Sequence, residues 1–197
     1  MKQAQCVEGL VLSSIQNSLQ VKSALLLDKE FHALLATIGL RMAEALRKGN
    51  KILYFGNGGS AADAQHLAAE LTGRYLMERP GLPGIALTVN ASSLTAIAND
   101  YSYEMIFARQ LQALSSIGDV AVGISTSGDS LSVLKAIEVA SQRGLLTIGM
   151  TGRSGGKLKG LVDYCICIPS DETPRIQESH ILVGHILSEI IEKTLFS

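Results

Sequence analysis

The chain has 197 residues, which is enough for one domain with a sizeable core and short for two. Its 17 basic and 18 acidic side chains leave a formal charge of -1, so the net charge provides no attraction toward nucleic acid or an anionic membrane. Hydrophobic residues make up 47% of the chain and charged residues 18%, and the mean hydropathy is +0.26. These values predict an oligomer in which other subunits cover part of the apolar surface.

The start of the chain does not have the architecture of a secretory signal. Residues 1–12 contain one Lys and a short apolar run with Glu8 in its middle. No segment of the sequence reaches the ~20 uninterrupted apolar residues that cross a bilayer. We therefore expect a cytoplasmic protein without a membrane partner.

The first part of the chain, residues 1–48, has a helical pattern. Apolar residues recur at three- and four-residue steps from residue 5 to residue 47, which predicts two helices broken near Leu27 and Asp28. Asp28 is the expected N-cap of the second helix, and Gly49 is the residue expected to end it.

Residues 49–197 alternate between strand-like and helical segments. Five short apolar runs predict strands over residues 51–55, 84–89, 119–124, 146–151 and 163–168. Strands that are apolar throughout and alternate with helices form a parallel sheet covered on both faces. The predicted fold is one α/β domain over residues 1–197, with a five-stranded, parallel, doubly wound, flavodoxin-like sheet.

A long helix is predicted from about residue 174 to residue 196. It has too many apolar residues for a single narrow stripe, so we expect it to pack on two sides, one of them against another subunit.

The three cysteines are Cys6, Cys165 and Cys167, and this odd number does not require an oxidising compartment. Cys165 and Cys167 are two apart in the last strand-like run, so their side chains share one face. That spacing permits metal binding. Because free cysteine is readily buried, however, two small core residues are the favoured interpretation.

Ligands of doubly wound sheets bind outside the carboxyl ends of the strands. The first predicted strand ends there in Gly56–Ser60 (GNGGS), which opens into an Ala-rich helix. Backbone N–H groups and the positive end of the helix converge on this loop, and Gly58 and Gly59 let backbone approach a ligand. The alternative is a turn with an N-cap, because Ser60 and Asp63 have the spacing of a capping box.

A second loop, Ser125–Ser130 (STSGDS), also follows a buried strand and precedes a helix. It has four hydroxyl side chains in six residues, whereas a helix cap needs only one. Hydroxyls are uncharged donors suited to a phosphate, so this loop is predicted to bind an oxyanion. The sequence has no P-loop motif and no dinucleotide fingerprint, which argues against binding of nucleoside triphosphates and dinucleotides.

Titratable side chains lie on two of the predicted helices. His66 and Glu70 are four apart and project from one helical face, where they have the spacing of either a zinc-binding pair or an ordinary helical pair. His185 interrupts an apolar series, so we expect it to be shielded from bulk water. Gln177 and Glu178 lie eight and seven residues before it, and the spacing does not choose between them as its neighbour.

The sequence resembles the phosphoheptose isomerases, within the larger sugar isomerase (SIS) domain group, over nearly its whole length. The motifs that carry the resemblance are 56–63 (GNGGSAAD), 70–75 (ELTGRY), Asn99-Asp100, 123–128 (GISTSG) and 175–178 (RIQE). Several motifs in the same order are far more specific than any one of them.

The resemblance implies an isomerase that converts sedoheptulose 7-phosphate to D-glycero-D-manno-heptose 7-phosphate, for the heptose of lipopolysaccharide or other surface glycans. It implies a homotetramer with one zinc ion in each active site, built between subunits. The implied metal ligands are His66, Glu70, Gln177 and His185. The implied substrate contacts are Asn57, Gly58, Gly59, Glu70, Asn99, Asp100, Ser125, Thr126, Ser127, Ser130 and Gln177.

Exchange between a ketose and an aldose moves a proton between C1 and C2 through an enediol, which needs a base and an acid. We assign Glu70 as the base and His185 as the acid. A lone pair held by zinc cannot also carry a proton, so these roles require loose coordination or a changed set of ligands. The alternative is a non-enzymatic SIS protein that resembles the DnaA initiator-associating protein, but that protein departs from the isomerases at the positions of Glu70 and His185.

Overall fold

The five apolar runs of the sequence form one parallel sheet with helices on both faces. The computed structural model describes residues 2–197, with side chains from residue 6 onward. The strands are β1 (Ile52–Gly56), β2 (Gly84–Ala86), β3 (Val120–Ile124), β4 (Leu146–Thr151) and β5 (Tyr164–Cys167). The helices are α1 (Lys2–Leu27), α2 (Lys29–Arg47), α3 (Gly59–Thr72), α4 (Ala91–Asp100), α5 (Ile106–Leu114), α6 (Leu131–Gln142) and α7 (Thr173–Phe196).

The strand order is β2-β1-β3-β4-β5, with every neighbouring pair parallel. This is the flavodoxin-like order, and it confirms the predicted doubly wound sheet. The order reverses between β1 and β3, whose last residues Gly56 and Ile124 are paired in register. The loops that follow these two strands therefore lie side by side at the topological switch point.

The two faces of the sheet bury separate apolar clusters. One cluster joins the sheet to α2, α3 and α7, and the other joins it to α5 and α6. Phe55 in β1 and Phe107 in α5 lie in the second cluster, with ring centroids 5.7 Å apart. Burial of both faces explains why the central strands contain no alternating polar residues.

The predicted helix boundaries near residue 28 and residue 49 are confirmed. The Asp28 side chain accepts a hydrogen bond from the Phe31 N–H at 2.9 Å, as an N-cap does. Helix α2 ends at Arg47 with Lys48 as its C-cap, and Gly49 follows with a positive φ of 84°.

Strand β2 is shorter than predicted, because the chain leaves the sheet after Ala86. Leu87 still donates its N–H to the Tyr54 carbonyl, and Asn90 then caps α4 by accepting from the Ser93 N–H. The apolar pattern over residues 84–89 does not distinguish strand from the turn that precedes this cap.

The expectation that Cys165 and Cys167 are core residues is wrong. Both lie in β5, the edge strand of the sheet, and both are half-buried. Because β5 pairs with β4 on one side and, within residues 2–197, with no strand on the other, solvent reaches the two thiols.

Helix α1 packs on α7 but leaves much of its apolar surface exposed. The exposed side chains are Val7, Leu10, Val11, Leu12, Ile15, Leu19, Leu26 and Leu27. No helix in residues 2–197 is long and apolar enough to span a bilayer.

Candidate active site

The first loop joins β1 to α3 and leaves the start of the helix without a side-chain cap. Gly58 occupies the N-cap position with a positive φ of 56°, and no side chain bonds to the first helical N–H groups. The capping-box interpretation of Ser60 and Asp63 is wrong, because Ser60 lies inside the first turn and is buried. The Ser60 and Ala61 N–H groups donate to the Asn57 and Gly58 carbonyls, and the positive end of the helix dipole at this loop favours an anionic ligand.

The side chain of Asn57 is fixed by partners that sequence reasoning missed. Its Nδ2 donates to the Ser132 hydroxyl at 2.9 Å, and its Oδ1 accepts from the Tyr103 hydroxyl at 2.9 Å. Ser132 is in α6 and Tyr103 precedes α5, so two distant segments orient one amide. Neither residue stands in a recognisable motif, and only the fold brings them to this loop.

The second loop has a hydroxyl cluster centred on Ser125, which is buried. The Ser125 Oγ accepts from the Gly128 N–H at 3.2 Å and donates to the Ser130 Oγ at 3.1 Å, and it lies 3.4 Å from the Ser127 Oγ. Ser130 occupies the N-cap position of α6, but its hydroxyl makes no capping hydrogen bond. The hydroxyls are thus grouped at the helix N-terminus, as the oxyanion interpretation requires.

A third loop, residues 152–156, and Leu158 just after it hold the second loop in place. The Gly152 N–H donates to the Thr126 carbonyl at 2.9 Å, and the Leu158 N–H donates to the Gly128 carbonyl at 3.0 Å. Gly128 has a positive φ of 72°, and a Cβ there would overlap the Gly155 carbonyl. Only glycine therefore permits this close approach. The Gly155-Gly156 pair in the sequence was the one local pattern that could have indicated this contact.

His66, Glu70 and His185 come together at one point between α3 and α7. The Nε2 atoms of His66 and His185 are 2.9 Å apart, and the Glu70 Oε1 lies 3.0 Å from the first and 4.0 Å from the second. Close helix packing explains the contact, because a Cβ at Gly184 would overlap the side chain of Leu67. With no side chain at Gly184, His185 reaches the face of α3 that carries His66.

The three converging atoms fit a metal ion. The three atoms lie within 4.8 Å of one another. His66 and Glu70 come from α3, and His185 comes from α7. Imidazole nitrogens and a carboxylate oxygen bound to one tetrahedral zinc at 2.0–2.2 Å would be roughly 3.4 Å apart. The observed separations of 2.9, 3.0 and 4.0 Å fall on both sides of that value. The arrangement is thus a candidate metal site.

The other implied ligand, Gln177, contacts the first loop. A Cβ at Gly59 would overlap the Gln177 amide, so this side chain lies against the start of α3. It is eight residues before His185 on α7, a rise of about 12 Å. The neighbouring Glu178 instead accepts from Ser18 in α1 and pairs with Arg175, which turns it away from this role.

The expectation that His185 is shielded from water is wrong for the single chain. Its side chain is 34% exposed, whereas His180 is fully buried and has its Nε2 3.1 Å from the Thr151 carbonyl. Five residues turn a helix by about 140°, so the two rings point to different surroundings. Both histidines interrupt apolar residues, and only the packing of α7 distinguishes them.

Tyr75 and a buried ion pair border the metal-ligand group, and the sequence analysis missed both. The rings of Tyr75 and His185 have centroids 5.6 Å apart. The Glu192 carboxylate accepts from three consecutive backbone N–H groups, those of Tyr75, Leu76 and Met77.

Arg79 completes this buried network, because its Nε donates to Glu192 at 2.9 Å and both side chains are 1% exposed. Its guanidinium also donates to the carbonyls of Glu70 and Leu71, which lie in the last turn of α3. Burial raises the pKa of Glu192, but the backbone N–H groups and Arg79 together lower it below its ordinary value. The pair thus fixes the segment that follows the metal-ligand helix.

Asn99 and Asp100 lie at the exposed end of α4 and hydrogen-bond to each other at 2.9 Å. The same helix and the first loop line a cavity of about 330 Å³, which Tyr103 also borders. This cavity adjoins Asn57 and Gly58, so α4 lies beside the loop that the sequence assigns to substrate.

The sequence places this chain in a known protein family. The SIS domain family matches residues 21–152. The phosphoheptose isomerase of Aneurinibacillus thermoaerophilus is 52% identical over 186 residues, which cover 94% of each chain. This chain belongs to the phosphoheptose isomerase family of SIS-domain proteins.

Solved structures of phosphoheptose isomerases have the same fold. Phosphoheptose isomerase GmhA from Neisseria gonorrhoeae is 40% identical with a TM-score of 0.86, and the match covers 94% of this chain and 99% of that one. A phosphoheptose isomerase from Francisella tularensis is 36% identical with a TM-score of 0.90, over 95% and 98% of the two chains. These relatives support an isomerase and do not favour a non-enzymatic SIS protein.

Proposed function

We propose that this isomerase converts sedoheptulose 7-phosphate into D-glycero-D-manno-heptose 7-phosphate, in biosynthesis of heptose for lipopolysaccharide or other surface glycans. The observation that carries the proposal is the convergence of His66, Glu70 and His185, in a chain with hydroxyl- and glycine-rich loops at the switch point of its sheet. The names of the relatives, at about half identity, support the same substrate class.

The substrate phosphate binds to the second loop. Its Ser125, Thr126, Ser127 and Ser130 provide hydroxyl donors, and the N-terminus of α6 supplies the favourable end of a helix dipole. The sugar extends toward the first loop and α4. The contacts there are Asn57, Gly58, Gly59, Glu70, Asn99, Asp100 and Gln177.

Proton transfer occurs at Glu70 and His185. Glu70 removes the proton from C1, while His185 donates a proton to the carbonyl oxygen at C2, which gives the enediol. Glu70 then returns a proton to C2, and His185 takes the proton from the oxygen at C1. The two side chains are 4.0 Å apart at their nearest atoms, which supports their action on adjacent carbons.

His66, Glu70 and His185, with Gln177 as the fourth ligand, would hold one zinc ion in each active site. When bound, zinc polarises the substrate oxygens as a Lewis acid. Glu70 has a second carboxylate oxygen besides the Oε1 that faces His66, and this oxygen remains free to accept a proton. A ring nitrogen bound to zinc cannot donate a proton, so the acid role of His185 requires that its nitrogen be free of the ion during transfer.

The protein assembles as a cytoplasmic homotetramer with active sites between subunits. The exposed apolar side chains of α1, such as Leu10 at 65% and Ile15 at 55%, support burial against other subunits. Arg175 and Glu178 of α7 connect α1 to the helix that carries His185. Subunits that pack against α1 would therefore contact the helix pair α1–α7, and α7 carries His185 of the active site.

The test is incubation of the purified protein with sedoheptulose 7-phosphate, followed by chromatographic separation of the two heptose phosphates. We expect the aldose to accumulate to a fixed ratio that is also reached when the reaction starts from the aldose. His185→Ala should form the folded oligomer and give no aldose. Wild-type protein that binds the ketose and never forms the aldose would contradict the proposal.

Metal analysis of protein purified without chelators tests the zinc site. We expect His66→Gln to lower the zinc content by one ion per chain, whereas His32→Gln, on the exposed side of α2, should leave it unchanged. Equal zinc contents in the two variants would show that His66 is not a ligand.

A further inference from the structure

Cys165 and Cys167 form a close thiol pair that takes no part in the active site. Their Sγ atoms are 3.7 Å apart, on the same face of edge strand β5. Both side chains are half-buried, so they are held in place and remain accessible. The hydroxyl of Thr151, in the adjacent strand β4, lies 3.6 Å from the Sγ of Cys167.

The surroundings favour a deprotonated sulfur at neutral pH. The hydrogen bond from Cys165 lowers the pKa of Cys167 to about 6, and the Thr151 hydroxyl and Lys159 also lower it. The same contact, with burial, raises the pKa of Cys165. Of the two thiols, Cys167 therefore loses its proton first.

The separation of the sulfur atoms matches a shared metal ion better than a disulfide. Two thiolates bound to one tetrahedral ion at ~2.3 Å are roughly 3.8 Å apart, and the observed distance is 3.7 Å. A disulfide requires the sulfur atoms to approach to about 2.05 Å. The pair therefore has the geometry for a bridging cation without rearrangement.

We propose that Cys165 and Cys167 form a bidentate site for a soft divalent cation, of the class of zinc and cadmium, separate from the His66–Glu70–His185 group. Binding forms two metal–sulfur bonds and releases the proton that the thiols still hold, so neither an oxidant nor a reductant is involved. Water would fill the remaining coordination positions, because within residues 6–197 no further His, Cys, Asp or Glu completes a group with these thiols.

The test is titration of the purified, reduced protein with cadmium, followed by thiolate-to-cadmium charge-transfer absorbance. The titration uses the His66→Gln background, which weakens the other metal site. We expect a band that saturates at one cadmium per chain and is lost in Cys165→Ser and in Cys167→Ser. The matched control is Cys6→Ser, an exposed cysteine of α1, which should keep the band in full.

A thiol count on unsubstituted protein gives a second readout that does not depend on the folding of a variant. Of the three thiols in the chain, we expect cadmium to protect two from a thiol-reactive dye and to leave one reactive. The proposal is overturned if no band forms, if the band survives loss of both sulfurs, or if cadmium protects none. It is also overturned if the pair oxidises to a disulfide under oxidised glutathione even with saturating cadmium.

Discussion

At the scale of single residues, Glu70 is the side chain whose change most sharply separates catalysis from structure. Glu70→Gln keeps the size and hydrogen-bonding shape of the side chain but removes the base. We expect kcat to fall by about 10²–10⁴-fold while the protein still binds the sugar phosphate. The measurement is the initial rate of aldose formation at saturating ketose.

The matched control is Glu78→Gln, because the Glu78 side chain is 91% exposed and pairs only loosely with Arg74. Its rate should equal that of the unsubstituted protein. If Glu70→Gln formed the aldose at a rate close to that of Glu78→Gln, Glu70 would not be the base.

His180 gives a second residue-scale prediction, in the pH dependence of stability. Burial lowers its pKa to about 4 from 6.5, against the opposing effect of the Thr151 carbonyl. The folded state therefore binds fewer protons than the unfolded state between pH 6.5 and pH 4. The stabilisation is complete above pH 6.5 and is lost as the pH falls toward 4, by roughly 3 kcal/mol.

Urea denaturation at pH 7 and pH 5, at one chain concentration, measures this effect. The loss of stability between the two pH values should be smaller in His180→Gln than in the unsubstituted protein. His32→Gln, which changes an exposed histidine, should retain the full loss. Identical losses in both variants would show that His180 is not the buried group responsible.

Part of the candidate site could be predicted from the sequence at this scale. The spacing of four residues places His66 and Glu70 on one helical face, and the structure confirms that they are neighbours. The partner His185 lies 119 residues from His66, and only the resemblance to a family predicted it. Local patterns do not encode which faces of two distant helices meet.

At the scale of elements, the Arg79–Glu192 pair holds the end of α3 and the segment beyond it against α7. Removal of one partner leaves a charge that is buried without compensation. We expect Arg79→Met to lower the free energy of unfolding by about 3–5 kcal/mol. The measurement is chemical denaturation at a fixed chain concentration.

A surface pair in the same chain provides the control. Arg153 and Asp171 are also 2.9 Å apart, but their side chains are 59% and 75% exposed, so Arg153→Met should cost less than ~1 kcal/mol. Equal losses in the two arginine variants would contradict the assignment of Arg79 to a buried supporting role.

The elements themselves were largely predictable, because a chain of apolar runs and helices has few ways to form a sheet covered on both faces. All five strands were predicted, and β4 has the predicted bounds. The errors lie where side chains decide between similar local structures. Asn90 ends β2 early by capping α4, and the edge position of β5 leaves Cys165 half-buried instead of in the core.

At the scale of the whole molecule, α1 is the element that leaves a large apolar surface exposed in the single chain. The double variant Leu10→Asp and Ile15→Asp places two charges on its exposed apolar side. We expect it to lower the assembly mass seen by sedimentation or light scattering, because the charges would have to be buried between subunits. Activity should fall with the mass, since the sites are proposed to lie between subunits.

The matched control is Ile117→Asp, which changes another apolar residue, 81% exposed, in the turn before β3. Its assembly mass should not change. If the α1 variant also keeps its mass, or if the unsubstituted protein is a monomer, assembly through α1 is excluded.

The central claim is that this protein moves a proton between C1 and C2 of a heptose phosphate at the His66, Glu70 and His185 group. It is tested most directly by NMR of sedoheptulose 7-phosphate labelled with ¹³C at C1, incubated with the protein in D₂O. We expect the label to appear at C1 of the aldose and deuterium to accumulate at C2, because Glu70 exchanges its proton with solvent over repeated turnover. A label that stays in the ketose while the protein is saturated, or an aldose that forms without deuterium at C2, would contradict the account.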